Sequence, residues 1–169
     1  MESKAKLFGR PVHPMLIVFP LGLLATAVIF DLITWVRDEP RWTEMAFYLI
    51  GVGIVGGLLA AVFGLVDWRA IPSGTRAKSI GAVHGGGNVI VLILFAASWL
   101  LRYDAPTAPP NAALALSYAG VLLALFTSWL GGELVDRLGV GVDDGAHLDA
   151  PSSISVPHVP QHEPGFRRP

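Results

Sequence analysis

The chain has 169 residues, of which 53% are hydrophobic and 15% charged, and its formal net charge is −1. This balance excludes a basic nucleic-acid surface, and the mean hydropathy of +0.57 is that of a membrane protein rather than a soluble domain. Without cysteine, disulfides, thiolate metal sites, cysteine-ligated iron–sulfur clusters and thioether-linked haem are excluded. Any metal here needs histidine or carboxylate ligands.

The first apolar run, Met15–Val36, is interrupted only by Thr26, Asp31 and Thr34 and is long enough to cross a bilayer as a helix. His13 stands at its start between Pro11 and Pro14. Lys4, Lys6 and Arg10 before it and Ala25-Thr26-Ala27 within it mimic a cleavable leader. The run continues through Val28-Ile29-Phe30 and contains Pro20, so the expectation is an uncleaved span. Ionisable groups in such a span are costly and suggest function. Three further runs follow, Met45–Trp68, Ile80–Leu101 and Ala112–Leu134, each about twenty residues long. The links 37–44, 69–79 and 102–111 are short, polar and proline-containing, which stops helices and forces neighbours antiparallel. The fold expected is all-α: an integral membrane up-down-up-down four-helix bundle at 15–142, after a short segment at 1–14. The tail at 143–169 is polar and proline-rich, and is expected to be disordered. His158 and His162 in it have metal-like spacing, but Pro160 opposes the helix that would align them.

Lys and Arg residues orient the bundle. Lys4, Lys6, Arg10, Arg69, Arg76, Lys78 and Arg137 fall at one end, and Arg37, Arg41 and Arg102 at the other. Both termini are therefore expected in the cytoplasm, with the protein in a bacterial inner membrane. Trp35, Trp42, Trp99 and Tyr103 mark the outer interface. Span two repeats small residues at Gly53, Gly57 and Ala61 and at Gly56, Ala60 and Gly64; span four does so at Gly120, Ala124, Ser128 and Gly132. Such stripes let helices approach closely, and serve packing, a homo-oligomer contact or the face of a flat cofactor.

Polar groups converge at the end that carries the termini. His13, Asp67, His84 with Asn88 one turn on, Glu133 and Asp136 share one depth, whereas Asp31 lies toward the other end. Three readings stay open. His13 and His84 are candidate axial ligands of a b-type haem, with His84-Gly85-Gly86-Gly87 admitting the ring and Arg10 or Lys78 holding propionates. Alternatively, His13, His84, Asp67 and Glu133 hold a non-haem metal. In the third reading they only lock helices, His13 pairing with Asp67 and His84 with Glu133. In the haem reading Asp67, Asn88 and Glu133 support the ligands, the carboxylates accepting the other imidazole N–H. No nucleophile–base pairing or hydrolase motif occurs, so a non-catalytic module is expected.

His13-Pro14 followed by Val18-Phe19-Pro20, Gly64 with Asp67, His84 with Asn88, and Trp129–Val135 running into Gly139-Val140-Gly141-Val142 form a combined pattern. In it the chain resembles the bacterial membrane family known as domain of unknown function 2231, over roughly Gly9 to Val142. The resemblance implies a four-helix membrane domain and carries over His13, Asp67, His84, Asn88 and Glu133 as matched positions without a role. Relatives are sometimes joined to Rieske-type or cytochrome-like domains, which implies redox work by association and, for this chain, a separate electron partner. Relatives often have an aromatic residue or histidine before the last glycine motif. Asp136-Arg137-Leu138 stands there instead, so no third histidine ligand is implied.

Overall fold

A computed structural model describes residues 1–154. A two-residue antiparallel hairpin, β1 (Lys6–Leu7) and β2 (Arg10–Pro11), leads into a short helix α1 (Val12–Leu16). Its turn uses positive φ at Phe8 and Gly9. Four long helices follow: α2 (Val18–Arg37), α3 (Arg41–Ala70), α4 (Arg76–Arg102) and α5 (Asn111–Gly132), the last extended by a π-helical turn, Glu133–Arg137. With α1 joined to α2 and the π turn to α5, all four are long and apolar enough to span a membrane. They extend the expected spans by a few residues at each end. The chain-level reasons are local. Asp38 ends α2 in the left-handed region, Pro40 and Pro110 precede α3 and α5, and the Thr75 hydroxyl caps α4 by accepting from the Lys78 amide.

The helices pack in the ring order α2–α3–α4–α5, with α2 and α4 diagonal. Contacts are denser inside the hairpins α2/α3 and α4/α5 than between them. The molecule is thus two tight hairpins meeting along a looser seam. Large apolar side chains such as Leu122 and Ile93 point outward, which suits lipid and no aqueous surface. The buried cluster, Leu24, Ala27, Val28, Ala46, Ile50, Val91 and Phe95, fills the interior.

The second hairpin repeats the first. Leu24 lies against Gly53 and Phe95 against Gly120, where a Cβ would approach within 2.7 and 2.8 Å of the facing side chain. His13 lies against Gly64 as His84 lies against Gly131. The odd-numbered spans correspond at a constant offset of 71 residues, as in Asp31 and Arg102, and the even-numbered ones at an offset of 67. Ala46 and Ala113, equivalent under that rule, are both fully buried. Spans one and three run the same way, so the repeats are related by a pseudo-twofold axis along the bundle. The glycine stripe of span two serves packing within the chain: Gly53 receives Leu24, Gly56 receives Phe19 and Pro20, and Gly57 receives Leu92. Ser128 and Gly132, expected in the stripe of span four, are exposed.

Residues 143–154 of the expected disordered tail fold back on the N-terminal segment. The Lys6 ammonium pairs with Asp143 at 3.7 Å, and the Asp144 amide donates to Glu2. His158 and His162 lie outside the described residues.

Candidate functional site

Both termini of the bundle lie at one end: the Met1 ammonium donates to the Gly139 carbonyl at 2.9 Å, and the Gly141 amide to the Met1 carbonyl. At this end His13 and His84 face each other across the seam, with ring centroids 6.5 Å apart and planes at 88°. Each ring is fixed by its own hairpin. His13 Nδ1 bonds the Ala60 carbonyl of α3 at 2.8 Å, and His84 Nδ1 bonds the Thr127 carbonyl of α5 at 2.8 Å. One turn beyond each carbonyl is the glycine that makes room. A Cβ on Gly64 would stand 3.0 Å from the His13 ring, and one on Gly131 would stand 3.1 Å from the His84 ring. The same notch, a carbonyl at i and glycine at i+4, is therefore built twice. Since a carbonyl only accepts, each Nδ1 carries a proton.

Around the imidazoles the halves differ at Nε2. His84 Nε2 lies 3.3 Å from the Asn88 amide nitrogen, which also donates to the His84 carbonyl at 2.9 Å. The Thr127 hydroxyl donates to Asn88 Oδ1 at 3.0 Å. Under the repeat offset, Asn88 corresponds to Ile17 and Thr127 to Ala60. His13 Nε2 accordingly has no such donor among the described residues.

The carboxylates expected beside the imidazoles go elsewhere. Asp67 receives the Ser3 hydroxyl at 2.8 Å and the Lys4 amide at 2.8 Å, tying the N-terminal segment over the end of the bundle. Glu133 pairs with Arg76 at 2.7 Å. The expected pairs His13–Asp67 and His84–Glu133 are thus replaced: both imidazole Nδ1 groups bond backbone carbonyls. Among the described residues, no three His, Asp or Glu side chains converge as a metal group, so the mixed set of His13, His84, Asp67 and Glu133 does not assemble. Lys78 donates to the Trp68 carbonyl at 2.7 Å and lies over the Trp68 ring. Arg10 lines a shallow cleft with Lys6 and Gly141. Gly85 and Gly86 face open space; the glycines that admit the imidazoles are Gly64 and Gly131.

At the opposite end a second polar group crosses the seam. Arg102 donates to both oxygens of Asp31, at 2.8 and 2.7 Å, with both side chains fully buried. Two further donors reach Ser98 and Ser117 at 3.1 Å. Arg102, read from the sequence as a loop cation, is an interior one. The signal that finds it is the repeat: His13 and His84, Asp31 and Arg102 are separated by one common interval, which places each pair across one axis.

Neither a curated protein nor a solved structure is found similar to the chain. A family model described as "Predicted membrane protein (DUF2231)" matches residues 9–144, which takes in the imidazole pair, both carbonyl–glycine notches and the Asp31–Arg102 bridge, and the chain belongs to that family.

Proposed function

We propose that the protein is a non-catalytic redox module of the bacterial inner membrane, in which His13 and His84 would hold a b-type haem. One observation carries the reading: two imidazoles on opposite sides of the seam, each held by Nδ1–H on a backbone carbonyl, with centroids 6.5 Å apart. Fixing Nδ1 sets the tautomer a ligand needs and removes the ring's rotational freedom. The seam, where packing between hairpins is looser, is the plane into which a flat ring would insert. When bound, haem supplies one-electron chemistry. The chain's own contribution is orientation of the two rings and burial among apolar helices.

The cytoplasm faces the end with the imidazoles. Arg102 is neutralised inside the bundle, so the seven basic residues of that end stand against only Arg37 and Arg41 opposite. A separate redox protein would then exchange electrons at the cytoplasmic end. The test is an absorption spectrum of detergent-purified protein supplied with haem, oxidised and then dithionite-reduced. A sharp reduced α-band, lost in both His13→Ala and His84→Ala, is expected. A featureless spectrum at full protein yield would reduce the imidazoles to hairpin locks.

A further inference from the structure

The hairpin ahead of the first span presents side chains that its own fold does not explain. Leu7 stands opposite Arg10 and Lys6 opposite Pro11, so the two pairs take opposite faces. The Lys6–Pro11 face is half-buried, Lys6 being held by Glu2 at 2.7 Å and by Asp143 at 3.7 Å. The face of Leu7 and Arg10 is exposed. Phe8 and Gly9 form the two-residue turn, with φ of 50° and 76°, a geometry that asparagine or aspartate followed by glycine adopts readily. A bulky aromatic residue seldom takes positive φ, and Phe8 gains little packing in return, being 76% exposed. The described tail reaches the neighbouring Gly9, where a Cβ would stand 3.0 Å from Ser153, without covering Phe8.

Position and charge say what faces this tip. Pro11 adjoins Val12, the first residue of span one, so the hairpin lies where the chain leaves the hydrocarbon, at headgroup depth. Arg10 lines a cleft of about 190 Å³ with Lys6, Gly141 and Asp143. Lys6 and Asp143 offset each other, and the Arg10 guanidinium makes no hydrogen bond or ion pair among the described residues. By contrast, Arg76 and Arg137 share Glu133, and Lys78 is spent on the Trp68 carbonyl. We propose that the hairpin is a binding site for an anionic phospholipid: Leu7 and Phe8 enter the acyl boundary of the leaflet at this end, and Arg10 holds the headgroup phosphate. A guanidinium donates to a phosphate through two parallel N–H bonds, and apolar side chains beside a cation are the pattern of interfacial anchoring. The imidazoles take no part, so the site is independent of the haem reading.

The experiment titrates phosphatidylglycerol or phosphatidylcholine into the detergent-purified full chain and follows the first lipid bound by native mass spectrometry. Wild-type protein is expected to bind phosphatidylglycerol about fivefold more tightly, the weight of one basic residue at an anionic surface. Arg10→Gln should abolish that preference, and Arg69→Gln, at an exposed cation of the same end, should keep it. Phe8→Asn suits the turn better, so its thermal melt should be unchanged or higher while phosphatidylglycerol binds about tenfold more weakly, for the apolar burial lost. Inorganic phosphate should not displace the lipid; displacement would make the free anion the ligand and overturn the lipid assignment. No preference in the wild-type chain, equal losses in Arg10→Gln and Arg69→Gln, or unchanged binding in Phe8→Asn would each overturn the proposal.

Discussion

The bridge between Asp31 and Arg102 is the interaction whose loss should cost most. Both side chains are fully buried, and the guanidinium spends its donors on two carboxylate oxygens and two serine hydroxyls. Replacing Arg102 by Met leaves a carboxylate in an apolar interior without its counter-ion and strips a donor from each of Ser98 and Ser117. Truncating one partner of such a pair costs about 3–5 kcal/mol, whereas replacing both with apolar residues of similar volume is often neutral or better. Asp31→Leu should cost a similar amount, since it strands an arginine. The double variant should recover most of the loss and so cost far less than the sum of the two singles, although the sites lie 71 positions apart. The assay is reversible unfolding in mixed detergent micelles, run as a double-mutant cycle. Single variants that lose under about 1 kcal/mol, or a double variant that loses the sum of the singles, would refute the claim that the pair is a closed ionic staple.

The glycine notches make a sharper contrast. Gly131→Ala would push a Cβ to 3.1 Å from the His84 ring and is expected to cost about 1–3 kcal/mol by overpacking, with haem uptake lost; Gly86→Ala, in open space, should be neutral or stabilise by up to about 1 kcal/mol through helix propensity. Equal effects in thermal melts would show that the rings do not depend on the notches. Asp67→Ala removes the acceptor of the Ser3 hydroxyl and the Lys4 amide, charge-assisted bonds of about 1.5–3 kcal/mol each; tryptic cleavage at Lys4 and Lys6 should become at least tenfold faster, and an unchanged rate would remove the clamp. The chain has no cysteine, so Ala146→Cys and Ala108→Cys each provide one label. An impermeant maleimide is expected to reach only Ala108→Cys from outside intact cells, and the reverse pattern would invert the topology.

Most of the fold was legible because the bilayer imposes a simple code. Apolar runs of spanning length, broken by Pro-containing links, permit few alternatives to an antiparallel bundle. Depth was legible for the same reason: rise per residue fixed His13, Asp67, His84 and Glu133 at one end. Rotation was not. Whether Asp67 turns toward His13 or toward Ser3 depends on where the chain before the first span lies, and Ser3 sits buried against that carboxylate. Arg102 was misread because a cation at the end of an apolar run looks like the start of a loop; only its partner, one repeat away, shows that it belongs inside. The histidine partners were hidden for another reason. They are main-chain carbonyls, which every residue carries, and what exposes them is the glycine one turn on, at Gly64 and Gly131.

The repeat also separates what holds the bundle together from what it can do. Where the halves agree, at Leu24–Gly53 and Phe95–Gly120 or at the two imidazole notches, the contact lies within one hairpin and would form in either half alone. Two of the disagreements lie at the polar groups: Asp31 answers Arg102 across the seam, and Asn88 stands at a ring nitrogen where the first half has Ile17. At the end with the termini, identical residues face each other across the axis, His13 against His84. Like charges so placed would repel, so the pair at the far end is Asp31 against Arg102, opposite in sign and mutually neutralising. This pairing makes the seam heterotypic: each half fits the other better than it fits a copy of itself. The staple fastens the hairpins at one end and leaves the imidazole end joined mainly by packing. The bridge is then the main polar fastening between the hairpins, a reading that fails if loss of the Asp31–Arg102 bridge leaves stability unaltered.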